Sequence, residues 1–118
     1  MPKLYKITRS ISPVTWLTLL LLVSFFFRLF RLSTPPNYIF DEVYHVVTVK
    51  AYAHNNPAGY EWWHQDPEPN TAYDWLHPPL AKLIQAGSVR LFGETSLAWR
   101  FPSVIFGTIS IAALYYFA

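Results

Sequence analysis

The order of apolar and polar positions divides this chain into two long uncharged runs with a polar stretch between them. Residues 14–27 read VTWLTLLLLVSFFF and residues 101–118 read FPSVIFGTISIAALYYFA, neither with a charge. Extended back to Pro13 and on to Phe30, the first run makes a helix of roughly 27 Å at 1.5 Å per residue, close to the hydrocarbon thickness of a bilayer. Arg28 falls inside that extension, where a long cationic side chain can snorkel to the interface. A secretory signal peptide shares the basic start and the apolar core. Arg28, Leu29, Phe30 and Arg31, however, stand where a small-residue cleavage site belongs. The reading adopted is a retained transmembrane helix over 13–32, preceded by a tail of residues 1–12. The second run, within 96–118, has no polar anchor or cap at its far side, and helix carbonyls without partners in lipid are costly. The expectation is therefore a fragment of a longer polytopic protein, ending inside its second transmembrane helix.

Residues 33–95 form the connecting loop. Thr34-Pro35-Pro36-Asn37 closes the first helix, since proline cannot continue it and restricts the residue before it. Two short amphipathic helices are predicted, near 41–53 and 78–92. The first starts at Asp41, an acid suited to the positive end of a helix dipole. Asp41, His45, Thr48 and Tyr52 recur at helical spacing and leave Val43, Val46, Val47 and Ala51 on other faces. The valines keep a strand as the rival for this stretch. Residues 55–74 hold no sustained period and read as loop. The second helix starts at Pro78-Pro79 and runs to Phe92, with Gly93 as its stop. Leu80, Leu83, Ile84, Gly87 and Leu91 make one apolar stripe, with Lys82, Gln85 and Arg90 off it. That pattern suits a helix lying along a membrane surface, its stripe against the bilayer or the second membrane helix. Trp62, Trp63, Trp75 and Trp99 are the candidate interfacial anchors. The predicted fold class is all-α: two transmembrane helices joined by an external loop with two short helices.

Composition and charge sharpen this picture. The chain has 118 residues, 53% hydrophobic and only 14% charged, against about 25% charged in ordinary soluble domains. The acids Asp41, Glu42, Glu61, Asp66, Glu68, Asp74 and Glu94 all fall in the middle, while the first third holds Lys3, Lys6, Arg9, Arg28 and Arg31. Basic residues gathered around an apolar segment mark membrane topology rather than nucleic-acid binding, and they place the N-terminus in the cytoplasm and the acidic loop outside. With no cysteine, disulfides and thiolate metal sites are excluded.

Three motifs carry candidate chemistry. Asp41-Glu42, in IFDEVYH, supplies a carboxylate that can take a proton from a hydroxyl while its neighbour, about 100° round the helix, positions substrate. The alternative is that Asp41 caps the helix and Glu42 is solvated. HPPLAK places His77 at a helix entry and Lys82 one turn inside, where free backbone N–H groups and a cation suit phosphate; the alternative is a capped helix with a snorkelling lysine. Arg100, in WRFPS, is a phosphate ligand or an interfacial anchor. Glu42–His45 and Glu61–His64 both match Glu-x-x-His, but a di-metal carboxylate site needs two more glutamates on further helices, and the second pair lies among Asn, Gly and Pro. No cofactor is assigned, and a divalent metal stays open without being indicated.

IFDEVYH after the first membrane run, then HPPLAK, then AWRFPSVIFG entering the second, resembles in order and spacing the N-terminal part of the protein O-mannosyltransferase family. More broadly it resembles the C-type-fold membrane glycosyltransferases that use polyprenyl-phosphate sugars. The resemblance covers the chain from about Phe30 onward, except the insert EWWHQDPEPNTAYDW. It implies transfer of a mannose-like sugar from a polyprenyl or dolichyl phosphate to an acceptor hydroxyl, with inversion. It also implies Asp41 as catalytic base, Glu42 arranging acceptor and donor, and His77, Lys82 and Arg100 at the donor site. The implied partners are that lipid donor, a protein or lipid hydroxyl acceptor and the bilayer, with no nucleic acid. The implied setting is a multi-pass protein of a prokaryotic cell membrane or the endoplasmic reticulum, of which this fragment alone is inactive. The reading from another class is a non-catalytic membrane subunit or chaperone that uses the loop as a binding surface.

Overall fold

A computed structural model describes residues 12–61, 63–64 and 67–118, and every regular element among them is helical. The elements are α1 (Pro13–Leu29), α2 (Glu42–Ala53), a 3₁₀ turn (Pro57–Tyr60), α3 (Pro79–Phe92) and α4 (Ser96–Phe117). They form two compact units: one holds α1 and Val104–Ala118, the other Arg31–Ser103. The three N-terminal cations Lys3, Lys6 and Arg9 lie outside the described residues.

In the first unit, α1 begins on Ser12, whose hydroxyl accepts from the Thr15 N–H at 3.1 Å, with Pro13 in the first turn. It ends before Pro35: Phe30 is extended, and Arg31 takes a left-handed φ of 57°. At 17 residues α1 measures ~26 Å, and α4 at 22 residues ~33 Å. Of the two, α4 is long and apolar enough to cross a bilayer, and α1 is a shorter apolar helix. Arg28 donates to Ser24 Oγ at 3.2 Å. Its guanidinium also lies over Gly107, where an added Cβ would come within 3.1 Å of Nη1. A glycine there lets the cation rest on a helix backbone.

The second unit has the core. Val46, Val49 and Tyr52 of α2, Ala86 and Val89 of α3, and Ala98 and Trp99 of α4 pack together. Trp99 is 4% exposed, with its ring centroid 5.7 Å from that of Tyr38, so it is a core residue and not an interfacial anchor. Trp63 and Trp75 are exposed, and Trp62 lies outside the described residues. The later half of the polar row expected on α2 also turns inward. Thr48 and Tyr52 are buried, and the Thr48 hydroxyl accepts the Asp74 N–H at 2.7 Å while donating to Tyr44 O at 3.0 Å. A hydroxyl with both roles filled can be buried without penalty.

Helix α3 is inverted relative to an ordinary amphipathic helix. Its buried residues are Lys82, Ala86, Ser88 and Val89, whereas Leu80, Leu83, Ile84 and Leu91 of the apolar stripe are exposed. Side chains off the stripe make the tertiary bonds instead. Arg90 donates to Ala53 O at 2.7 Å and Tyr52 O at 2.9 Å, and also to the Asn55 side chain, closing the C-terminus of α2. Gln85 donates to Trp99 O at 3.2 Å, and Ser88 to Ala98 O at 2.6 Å. The last bond answers a specific need. Pro102 lies inside α4 and has no N–H for the carbonyl four residues back, which is that of Ala98. Gly93, at φ 81°, ends α3 in the left-handed region where glycine is favoured.

Ser88→Ala should therefore cost about 1–3 kcal/mol, the penalty for a buried carbonyl stripped of its donor. Leu91→Gln, at an exposed position, should stay within about 0.5 kcal/mol. Denaturant unfolding of the detergent-solubilised protein checks both. A larger loss from Leu91→Gln would mean that the stripe is packed against protein.

Candidate functional site

The site is built on Arg100, near the start of α4. Its Nε donates to Glu42 Oε1 at 2.6 Å and Nη2 to Glu42 Oε2 at 2.7 Å, a bidentate pair. Nη1 donates to the carbonyls of Leu32 (3.0 Å) and Pro35 (2.8 Å), and Nη2 to that of Asn37 (3.3 Å). A guanidinium has five N–H bonds, and all five of these are committed. Arg100 thus ties the Pro-rich segment and the first turn of α2 to α4, and it retains no donor for a ligand. Glu42 is correspondingly not solvated. Its Oε2 also accepts the Ile39 N–H at 3.0 Å. Burial pushes its carboxyl up, but the Arg100 bonds and charge and the Ile39 N–H outweigh that and hold its pKa below the usual carboxylate value.

This clamp shapes the backbone before α2. Phe40 has φ 46°, uncommon for a residue with a Cβ, in the turn between the Ile39 and Glu42 contacts. Asp41 follows at the N-cap position, in helical conformation and without a side-chain capping bond. The carboxylate is exposed and lines two cavities. The capping alternative for Asp41 is therefore not what this geometry contains.

A second cluster centres on Asp74, whose side chain is 3% exposed. Oδ1 accepts the His77 N–H at 3.3 Å and faces His77 Nδ1 at 2.9 Å. Oδ2 stands 2.8 Å from His45 Nδ1 and 3.2 Å from Lys82 Nζ. Burial raises the Asp74 pKa, but the His77 bond, the Lys82 bond and charge, and His45 outweigh it, so the carboxyl is held below its usual value. Lys82 is 1% exposed and also donates to Asp74 O at 2.5 Å and His77 O at 3.0 Å. Two of its protons go to carbonyls of the turn that enters α3, and its charge faces Asp74 Oδ2. Lys82 does not snorkel, and it lines neither of the two cavities that Asp41 lines.

The first cavity, about 310 Å³, is lined by Asp41, Tyr44, His45, Asp74, Trp75 and His77, among others. The second, about 360 Å³, shares Asp41 and His45 and adds Glu42, Gln85 and Arg100. The expected site residues are thus drawn into one region, but with unequal freedom. Asp41 and His77 are exposed to a cavity, whereas Glu42, Lys82 and Arg100 are bound up in the protein. The Glu-x-x-His pairs do not form one metal site: Glu42 goes to Arg100, His45 to Asp74, and Glu61 and His64 pair with each other. Sequence reasoning missed Asp74 and His45. Three residues before His77, Asp74 had the spacing to hold the turn into α3, and that was the available signal.

Comparison with known proteins now bears on the chemistry. Residues 76–118 match the family described as dolichyl-phosphate-mannose-protein mannosyltransferase. A polyprenol-phosphate-mannose–protein mannosyltransferase of Corynebacterium glutamicum is 46% identical over 48 residues, which make up 40% of this chain and 9% of that protein. The protein O-mannosyltransferase resemblance is borne out. Both the matched family and this relative are described as mannosyltransferases. No solved structure matches the chain. The matched segment includes His77, Lys82 and Arg100; Asp41, Glu42, His45 and Asp74 precede it.

Both lowered carboxyl pKa values predict a sign for the pH dependence of stability. A depressed folded pKa contributes stability that is full above the unfolded pKa and lost as pH falls through the folded one. Unfolding should therefore become easier as pH drops below about 4, the unfolded value for Asp and Glu. Glu42→Gln should lose about 1–3 kcal/mol at pH 7 and show a shallower acid limb, since its share is already gone. Thermal melts of both proteins from pH 7 to 3 measure this, and parallel limbs would remove Glu42 from the account.

Proposed function

We propose that this chain is the N-terminal portion of a membrane glycosyltransferase that moves a mannose-like sugar from a polyprenyl or dolichyl phosphate to a hydroxyl of a protein or lipid acceptor, with Asp41 as the base. The observation that carries this reading is the placement of Asp41. Its exposed carboxylate, with no capping bond, lines the same cavity as His77, and His77 opens the segment that matches the mannosyltransferase family. In the proposed step the acceptor oxygen attacks the anomeric carbon and its proton passes to Asp41. The bond from that carbon to the lipid phosphate breaks on the opposite face, and the phosphate leaves with the electron pair. Inversion follows. A phosphate is already a stable leaving group, so a base on the acceptor matters more than an acid on the donor.

The donor phosphate contacts His77 in this reading. Arg100, with every proton in use, and Lys82, buried against Asp74 and two carbonyls, act as positioning residues that also lend positive charge to the region. Glu42 is the anchor by which Arg100 sets the Asp41 turn. In topology, α1 and α4 both cross the bilayer, over 13–32 and 96–118, with the N-terminus cytoplasmic and residues 33–95 outside. The exposed stripe of α3 lies on the lipid surface, where burial of a leucine is worth roughly 1.5–3 kcal/mol.

In the protein that carries this chain, Asp41→Asn should lower transfer from a radiolabelled lipid-phosphate sugar at least ~10²-fold while donor binding persists. Near wild-type transfer by that variant would refute the base, and a chain that binds no donor would favour a non-catalytic subunit. Orientation has its own test, impermeant thiol labelling of single cysteines in intact cells. A cysteine at Asn70 should react and one at Lys3 should not; the reverse pattern overturns the topology.

A further inference from the structure

Asp74 is used by no step of the proposed reaction, yet it is the buried centre of the cavity wall beside Asp41. An ionised carboxylate only accepts hydrogen bonds, and Asp74 is held ionised by the groups around it. The proton on His77 must therefore sit on Nδ1, facing Oδ1 at 2.9 Å, while His45 Nδ1 approaches Oδ2 to 2.8 Å as an electrostatic contact without hydrogen-bond geometry. Both rings come from different elements, His45 from α2 and His77 from the turn before α3, and their centroids are 5.0 Å apart. Neither Nε2 has a partner among the described residues. With Nδ1 turned inward, Nε2 of each ring is the nitrogen left for the cavity that both line. Asp74 itself cannot turn away. Thr48 accepts its N–H at 2.7 Å, and Lys82 holds both its carbonyl and its carboxylate.

We infer that His45 is a second ligand for the anionic phosphate of the donor, and that Asp74 is the positioning residue that turns both imidazoles outward by Nε2. The inference rests on the transferase reading for the identity of the anion. Its geometry is independent of Asp41. Phosphate binding calls for the imidazolium, the only form in which Nδ1 faces Asp74 with a proton while Nε2 donates to phosphate. The charges facing the pair are Asp74 and Lys82 from the wall and Asp41 across the cavity. Asp74 and Lys82 cancel each other, so one imidazolium balances Asp41, and a second gives the cavity a net positive charge for a phosphodiester.

The test is a double-mutant cycle on donor affinity, with polyprenyl-phosphate mannose in detergent micelles as the probe and the whole protein as the receptor. His45→Gln should weaken binding roughly tenfold or more, as loss of a charge-assisted hydrogen bond does. In an Asp74→Asn background, where the ring is no longer oriented, the same change should cost less than about twofold. A merely structural Asp74 would leave the two losses additive, and additivity overturns the positioning role. Should Asp74→Asn fail to fold because Lys82 loses its partner, His45→Gln alone decides, and unchanged donor affinity sinks the inference. The His₂Asp set also has the donor types of a zinc site. Loss of donor binding in a chelator, restored by Zn²⁺, would therefore overturn the phosphate assignment. Coupling between His45 and Asp74 with full transfer by Asp41→Asn would leave this inference standing and remove only the base.

Discussion

The second unit depends on one side chain satisfying five acceptors. Arg100 reaches from α4 to Glu42 and to the carbonyls of Leu32, Pro35 and Asn37. A Pro-rich segment cannot organise itself through backbone bonds, because proline offers no N–H and loop carbonyls find few partners. A guanidinium supplies the missing donors in a fixed plane. Lysine in its place would offer three donors without the fork. The left-handed Phe40 and the exposed Asp41 carboxylate follow from that constraint, since the turn between Ile39 and Glu42 has nowhere else to go.

Lys82 repeats the arrangement at the other end of the loop. It is buried against Asp74 and against two carbonyls of the turn that leads into α3. Burying an ammonium alone would be prohibitive, and here the carboxylate and the carbonyls offset that penalty. Two cations that read as ligand-binding groups are thus internal fasteners. They hold a pair of cavities whose exposed chemistry belongs to Asp41, His45 and His77.

On the topology proposed above, the inversion of α3 is the membrane's contribution to the fold. In water an apolar stripe is driven inward and polar residues outward. For a loop lying beside a bilayer, lipid can take the stripe, and the other faces are free to use Lys82, Gln85, Ser88 and Arg90 as hydrogen-bond donors. Each one satisfies a carbonyl, and two of these relieve specific defects: the C-terminus of α2 and the Ala98 carbonyl left by Pro102.

The sequence by itself determined the helices and their punctuation. The two apolar runs, the helix starting at the Pro-Pro step and the stop at Gly93 are local consequences of hydrophobic period, fixed φ and a missing Cβ. It also carried the family motifs, because these are short runs of side-chain types. It could not give the direction in which each helix faces. That depends on whether the surrounding medium is water, lipid or protein, and Lys82 and Trp99 look the same in all three until their neighbours are known. Nor could it give the Asp74 cluster, since His45 and His77 meet there from positions 32 residues apart, and no local rule couples them. Tertiary structure decided which charges are spent on the fold and which remain available, because that requires counting every proton against every acceptor within reach.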